Sequence, residues 1–357
     1  MRAEELLRIA RRRKLDRVLV TDPANVRAMT GVNCDNAVVE ATAGEVAFYT
    51  DFRYVPMVHR VAPELAVRDI KRLGNRKRGT GLVRRIGYES SIPHARFLAW
   101  QKKFPKATFV DISKDLALMR AVKTPEEIAA LRAAESLDCE IWETARGKFR
   151  AGMTERQMAR IIQKMMIEKG DGEAFATIVC VGKNAAECHH EPDDTVWNGR
   201  EPVLVDMGVK LNGFCSDLTR NLVPGLLDDA RSSGTSRRAR PSSLYRRVYA
   251  LVREANLAAI AAAKPGITGR QLDKVARDVI RKGGFGKCFG HSLGHGVGYE
   301  VHEAPYAAKR DDTVLKPGML VTIEPGVYLE DNLGVRIEDL VLITESGCEV
   351  LSATCEK

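Results

Sequence analysis

The sequence predicts an α+β protein: a small α/β domain over residues 1–122, then a larger domain over residues 123–357 built from two similar halves. Three observations carry this. The run Lys123-Thr124-Pro125-Glu126-Glu127 reads as a helix start, with Thr124 as N-cap, Pro125 at the first helical position and Glu127 closing a capping box. The segment Gly152-Met153-Thr154-Glu155-Arg156-Gln157-Met158 returns 114 residues later as Gly266-Ile267-Thr268-Gly269-Arg270-Gln271-Leu272. Each copy opens a helix behind a capping Thr and runs to a Lys-Gly pair, Lys169-Gly170 and Lys282-Gly283. Finally, two acid-bearing hairpins fall in the larger domain, which places a pseudo-twofold arrangement around a shared centre.

Taken in order, an Arg-rich helix leads into a strand at Arg17-Val18-Leu19-Val20, with further strands at Val46–Tyr49 and Thr108–Val110. The helix that begins at the capping box runs through Ile128 to about Arg146. Residues 226–243 are polar and rich in Ser and Arg, so they read as a surface loop between the first acid hairpin and the next helix.

In the first hairpin Val203-Leu204-Val205 starts a strand, and Asn212-Gly213 is a strong turn dipeptide. A turn centred between Leu211 and Asn212 puts Asp206 directly opposite Asp217; a turn centred on Asn212-Gly213 makes them diagonal by two residues. Both registers leave the two carboxylates on one face. In the second hairpin Glu324 and Glu338 are symmetric about Asp331, and Arg336 shares their face, where it can neutralise or orient a Glu. Bare carboxylates so close repel one another, and a shared cation removes that penalty. Three of the seven histidines, His291, His295 and His302, sit in a Gly-rich run between the hairpins, and His189-His190 precede Pro192 in a loop. Two Asp, two Glu and His form an oxygen-rich set suited to hard or borderline divalent ions, which points to two-metal hydrolysis.

These blocks resemble the metallopeptidases of the pita-bread fold, and within them the Xaa-Pro branch of aminopeptidase P and prolidase. The resemblance spans nearly the whole chain, Asp51-Phe52-Arg53-Tyr54 included, and implies a creatinase-like amino-terminal domain followed by a pita-bread catalytic domain. It implies that Asp206, Asp217, His295, Glu324 and Glu338 hold two divalent ions, Mn²⁺ by expectation with Co²⁺ or Zn²⁺ also suited. Asp217 and Glu338 would bridge, His295 and Glu324 would complete one ion, and Asp206 the other. Glu324 would also accept the proton of the attacking water, His302 would stabilise the oxyanion, and His189, preceded by Cys188 where the family has Pro, would position the substrate backbone. His291 and Arg336 match pocket residues of the family. Where prolidases carry an Arg that grips the dipeptide carboxylate, after His302-Glu303-Ala304-Pro305, this chain has Tyr306.

The implied substrates are peptides with proline in second position, and the implied assembly is a homodimer in which one chain's amino-terminal domain shapes its partner's site. A non-proline aminopeptidase or dipeptidase, or a non-catalytic binding protein on the same fold, is the alternative. The net charge of +9 gathers in clusters such as Arg8, Arg11, Arg12, Arg13 and Lys14, then Arg76, Lys77 and Arg78, then Arg237, Arg238, Arg240, Arg246 and Arg247. None has interleaved aromatics, so they read as solvated faces and nucleic acid is not an expected partner. The start of the chain offers no apolar run for a signal peptide or membrane span, and eight scattered Cys without CxxC spacing fit free thiols in the cytoplasm.

Overall fold

A computed structural model describes residues 2–73, 84–224 and 241–357. Residues 226–240 of the Ser/Arg-rich loop lie outside the described residues, as do Arg76, Lys77, Arg78, Arg237, Arg238 and Arg240. The architecture is α+β, and its contacts divide the chain into two units, Met1–Arg120 and Ala121–Lys357. Among the described residues no helix is long and apolar enough to cross a membrane.

The first unit is a six-stranded mixed sheet. Its strands are β1 (Arg17–Val20), β2 (Val38–Thr42), β3 (Glu45–Thr50), β4 (Ala66–Asp69), β5 (Arg85–Tyr88) and β6 (Thr108–Asp111), in the order β4-β3-β2-β1-β5-β6. Alternation along β1 sends Val18 and Val20 to one face and Leu19 to the other, and both faces are covered. Helices α1 (Ala3–Arg12), α2 (Pro23–Thr30) and α5 (Ser113–Ala121) place Leu6, Ile9, Met29 and Leu116 against the first face. Helix α4 (His94–Lys103) places Trp100 against the second, and a short α3 (Val55–Val61) adds Val58 to the first. Part of the basic cluster on α1 is matched internally, because Arg12 and Arg13 both grip Asp115, at 2.8 and 2.9 Å.

The second unit repeats one device twice. Helix α6 (Pro125–Arg146) begins at the expected capping box and pairs with α7 (Glu155–Lys169) over β8 (Ile178–Val181), β9 (Val203–Met207) and β12 (Leu218–Leu222). Helix α8 (Ser243–Ala262), capped by Ser242, pairs with α9 (Gly269–Lys282) over β15 (Leu320–Ile323), β18 (Asp339–Ile343) and β19 (Cys348–Val350). Thr154 and Thr268 each close a capping box with the Gln three residues on, and each forms an isolated antiparallel bridge, to Val196 and Val314. The two copies of the repeat are therefore structurally alike, down to helices that end at Lys169 and Lys282 before Gly. The remaining strands are the short β7 (Gly172–Glu173), β10 (Val209–Leu211) and β11 (Phe214–Cys215), the ribbon β13 (Gly294–Gly296) with β14 (Glu303–Ala307), and the ribbon β16 (Gly326–Leu329) with β17 (Leu333–Arg336).

Period-two alternation decides where the acids go. Val203, Val205 and Met207 of β9 and Leu218 of β12 pack against α6 and α7. Asp206, Asp217 and Thr219 have the opposite parity and leave the face away from the helices. In the second half Val321, Ile323, Val341 and Ile343 pack against α8 and α9. Thr322, Glu324 and Glu338 take the other parity. Each buried Val or Ile contributes about 1.5–3 kcal/mol, so slipping either hairpin by one residue would expose a whole row of them. The apolar cores thus hold the carboxylates in place.

Candidate active site

The first hairpin takes the register centred on Asn212-Gly213. Thr219 lies opposite Asp206 and Leu218 opposite Met207, while Leu211 faces Phe214 across the turn. Asn212 and Gly213 both adopt positive φ, 50° and 72°, as a two-residue hairpin loop requires. Asp206 and Asp217 are accordingly diagonal on one face. In the second hairpin Ile323 pairs with Asp339 and Gly326 with Arg336, which sets Glu324 against Glu338. The tip carries Asp331 at φ 55°.

His295 is brought in by β13, which lies against β15. Gly294 permits the approach: a Cβ there would collide with the backbone of Thr322. The His295 N–H donates to Thr322 Oγ1 at 3.0 Å, and that hydroxyl donates to Glu324 Oε1 at 3.2 Å. The His295 Nδ1 sits 3.1 Å from the Gly296 carbonyl, so Nδ1 carries a proton and Nε2 is turned to the acids. It stands 3.3 Å from Glu324 Oε1 and 3.5 Å from Asp217 Oδ2. Asp217, His295 and Glu338 present ligand atoms within 4.8 Å of one another.

The electrostatics are those of a cation site. Burial, then the charges of Glu338, Asp206 and Glu324, push the Asp217 carboxyl well above its usual range. Burial and the neighbouring acids do the same to Glu338. Burial lowers the His295 pKa, but the hydrogen bond and charge of Glu324 outweigh it and leave it raised. Glu324, despite its own burial, is held below its usual value by His295. Asp206 Oδ1 is buried with no hydrogen-bond partner. Five convergent donors, four of them carboxylates that cannot all ionise unaided, fit divalent ions.

Arg336 pairs with Asp206 Oδ2, at 2.7 Å, and not with either Glu of its own hairpin. The expected influence on the Glu residues of its own hairpin is exerted without direct contact: its charge acts to lower the pKa of both Glu324 and Glu338, and Thr219 links it to Glu338. The other guanidinium nitrogens are also engaged: Nε donates to Thr219 Oγ1 at 3.1 Å, and Nη1 to Tyr328 Oη at 2.8 Å and the Cys188 carbonyl at 3.4 Å. Tyr328 Oη lies 2.9 Å from His291 Nε2, and Thr219 Oγ1 donates to Glu338 Oε2 at 2.7 Å. His302 packs edge-on against His295 with ring centroids 4.2 Å apart, and burial together with the charge of His295 lowers its pKa.

These groups line one cavity of about 450 Å³, which also takes in His189, Tyr306 and the apolar Phe175, Ile178 and Val301. Every residue singled out in the sequence as ligand, acid-base or substrate group therefore meets at this cavity. Thr219, Thr322 and Tyr328 went unnoticed, although each shares parity with an acid two or four residues away. Two further carboxyls stand behind Asp217: Glu135 Oε2 accepts its N–H at 3.3 Å, and Asp138 accepts from Ser216 Oγ at 2.8 Å. Both are fully buried, and burial raises both well above the usual range. All eight cysteines are free thiols; Cys188 borders the cavity and Cys215 is buried.

Comparison with known proteins agrees with the geometry. The family model Metallopeptidase family M24 matches residues 129–345, and the Creatinase/Prolidase N-terminal domain matches residues 2–122. The chain is 33% identical to the Xaa-Pro dipeptidase of Pyrococcus furiosus over 99% of its own length and 98% of the relative's. Among solved structures, the prolidase from Pyrococcus horikoshii OT3 superimposes with a TM-score of 0.88 at 30% identity, covering 98% of this chain and 97% of that one. The X-Pro aminopeptidase from Thermotoga maritima MSB8 gives 0.82 at 30% identity, covering 97% of both chains.

Proposed function

Because the chain belongs to metallopeptidase family M24, we propose that it hydrolyses the bond between an amino-terminal residue and proline at a centre of two divalent ions. The convergence of Asp206, Asp217, His295, Glu324 and Glu338 at one cavity floor carries this reading. The specificities named for the relatives, Xaa-Pro dipeptidase and X-Pro aminopeptidase, supply the substrate class. Asp217 and Glu338 are the proposed bridges, and manganese is the proposed ion, cobalt and zinc being compatible with the donors. The proposed division is an amino-terminal domain over 1–122 and a catalytic domain over 123–357, in a cytoplasmic enzyme.

When bound, such ions lower the pKa of a water and polarise the scissile carbonyl. The chain's own groups do the rest. Thr322 donates to Glu324 Oε1, which leaves Oε2 the freer oxygen to take the water's proton. His302, exposed at the cavity and with its pKa lowered by partial desolvation and the charge of His295, donates a ring N–H to the oxyanion. His189 reaches into the cavity from its loop and orients the substrate backbone. Burial raises the Asp206 pKa, and Arg336 opposes that rise and aims the carboxylate at the floor. Proline offers no N–H and a fixed φ, so apolar walls such as Phe175, Ile178 and Val301 suit its ring.

The finer question is substrate length. Among the described residues lining the cavity Arg336 is the one Arg or Lys, and its nitrogens are engaged with Asp206, Thr219 and Tyr328. Lys309 and Arg310 are exposed and do not line it. A dipeptide would bury its terminal carboxylate beside the acids without a dedicated cation, at a cost of roughly a few kcal/mol. A longer peptide carries that charge out toward solvent. Specificity constants for matched Xaa-Pro and Xaa-Pro-Yaa peptides should therefore favour the longer one or be equal. A strong dipeptide preference would instead support the second reading, a strict dipeptidase, which the names of the Pyrococcus relatives favour. We also propose a homodimer, on the family resemblance; light scattering of active enzyme should give twice the chain mass of 39.5 kDa, and a monomer mass would refute it.

A further inference from the structure

Among the described residues His189 has no hydrogen bond or ion pair, yet the loop that bears it is tied at several points to one side chain. That side chain is Glu155, the first residue of α7, whose carboxylate is fully buried. Its Oε1 accepts from the Val181 N–H at 2.6 Å and from Asn184 Nδ2 at 3.0 Å. Its Oε2 accepts from His190 Nε2 at 2.7 Å and from the Asp193 N–H at 3.1 Å. Asn184 donates onward to Thr195 Oγ1 at 3.1 Å, and the backbone N–H groups of Glu155 and Arg156 return to the carbonyls of Thr195 and Asp193. One carboxylate thus gathers residues 181, 184, 190 and 193, and the chain between them presents Cys188, His189 and Pro192 to the cavity.

We propose that Glu155 and His190 are positioning residues for the substrate-binding wall, acting through His189. This rests on the reading of His189 as a substrate-orienting group. His190 is the member adjacent to His189. It is buried, and it spans from Glu155 to Glu187, whose Oε2 lies 3.0 Å from its Nδ1. Imidazole bonded at both nitrogens cannot rotate, so the backbone that carries the neighbouring His189 is fixed with it. Burial lowers the His190 pKa, but the hydrogen bonds to Glu155 and Glu187 outweigh it and leave it raised, as suits a doubly donating ring between two carboxylates.

The other half of the unit supports the same logic by different residues. The repeat places Gly269 where the first half has Glu155, and a side chain there would run into the Tyr306 backbone. The loop carrying His291 is instead held by Asp273 and Arg277 of α9. Asp273 Oδ1 accepts the Leu293 N–H at 3.1 Å, and Arg277 donates to the carbonyls of Phe289 and His291, both at 2.8 Å. Each half therefore tethers its histidine loop to a buried acid on its repeat helix. Glu155, His190 and Asp193 also have the donor types of a cation site. The distances speak against one: Glu155 and His190 are in direct hydrogen-bond contact, and each Glu155 oxygen already accepts two donors.

The test uses the full-length, manganese-loaded enzyme and the variants His190→Leu, His190→Gln, His189→Ala and His189→Ala/His190→Leu. Misplacing a substrate-orienting group by about 1 Å costs on the order of 100-fold, so His190→Leu should lose about that much in kcat/KM. His190→Gln, whose amide can still donate to Glu155, should recover most of it. Metal content should stay unchanged in all four proteins. Hydrogen exchange across residues 181–195 should speed up in His190→Leu and much less in His190→Gln. In the His189→Ala background the His190→Leu change should cost little more, because the route is already cut. Losses that multiply, a fully active His190→Leu, or a metal ion lost with His190 would each overturn the proposal. Full activity in His189→Ala would overturn it too, but by removing the reading of His189 on which it stands; the exchange data report on the tether without any substrate.

Discussion

Replacing either proposed bridge, Asp217→Ala or Glu338→Ala, should leave no measurable turnover, while His302→Ala should keep its metal and lose rate. Asp217 and Glu338 lie with His295 in a group whose ligand atoms are within 4.8 Å of one another, so losing one carboxylate loosens both ions together. Elemental analysis after manganese loading and desalting should give close to two ions in the wild type and far fewer in either bridge variant. His302 touches His295 edge-on and is assigned to the oxyanion, so its removal should cost about 100-fold in kcat, or ~2.7 kcal/mol of barrier, with metal content held. Loss of both ions in His302→Ala would show the two histidines reversed. A folding defect can be told apart from metal loss. Without metal, the charges of Glu338, Asp206 and Glu324 add to burial in raising the Asp217 pKa, so Asp217→Asn should relieve repulsion and leave the chelated protein at least as heat-stable as wild type. A bridge variant that unfolds more readily than wild type under chelation would point to a structural role.

How much of this was legible in the sequence depends on how local the cause is. The Glu324–Glu338 pair was legible because its register is symmetric about a single turn, and the structure sets the two opposite each other. The Asp206–Asp217 pair was legible to its face but not to its register. The choice between the two turns rests on positive φ at both Asn212 and Gly213, which the strands on either side must also accept. The capping box at Thr124 and the Thr caps at Thr154 and Thr268 are local devices of four residues and all three formed, the latter two also as capping boxes with Gln157 and Gln271. What parity could not give was the ion-pair partner across the site. It reports that Arg336 shares a face with Glu324 and Glu338, whose pKa values its charge does act to lower, and not the element lying across from it. Its partner Asp206 is 130 residues away. Glu155 lies within the repeat, yet its role is set by donors 26 to 38 residues on, gathered only when β8 and α7 pack. The one local sign was that the second copy of the repeat has Gly269 there.

Arg220→Ala should destabilise the second unit more than any other single substitution outside the metal ligands. Arg220 is 2% exposed, and its charge lies against Asp339, whose Oδ1 is 3.1 Å from Nη2. It also donates to the carbonyls of Thr219, Glu338, Ser352 and Cys355, so it joins β12 to β18 and to the segment that follows β19. Removing one partner of a buried ion pair leaves the other charged, desolvated and short of donors, which costs about 3–5 kcal/mol. Lys357 Nζ, 2.6 Å from Asp339 Oδ2, Asn256 Nδ2, 2.9 Å away, and Ser352 Oγ, 2.8 Å from Oδ1, would be left to hold that carboxylate. Denaturant unfolding of the chelated protein should show the loss, free of any contribution from bound metal. The pH dependence gives a second reading. Burial raises the Asp339 pKa, but Arg220 and Lys357 outweigh it and hold it below its usual value. A carboxyl depressed in the folded state contributes stability that is complete above its unfolded value, about 3.9, and is lost as pH falls through its lower folded value. Wild type should accordingly keep this contribution into mild acid. In Arg220→Ala the folded pKa rises toward or past the unfolded one, so acid unfolding should begin at higher pH. A variant that matches wild type in both denaturant and acid would mean that Lys357, Asn256 and Ser352 suffice, and that Arg220 aligns Glu338 without stabilising the fold.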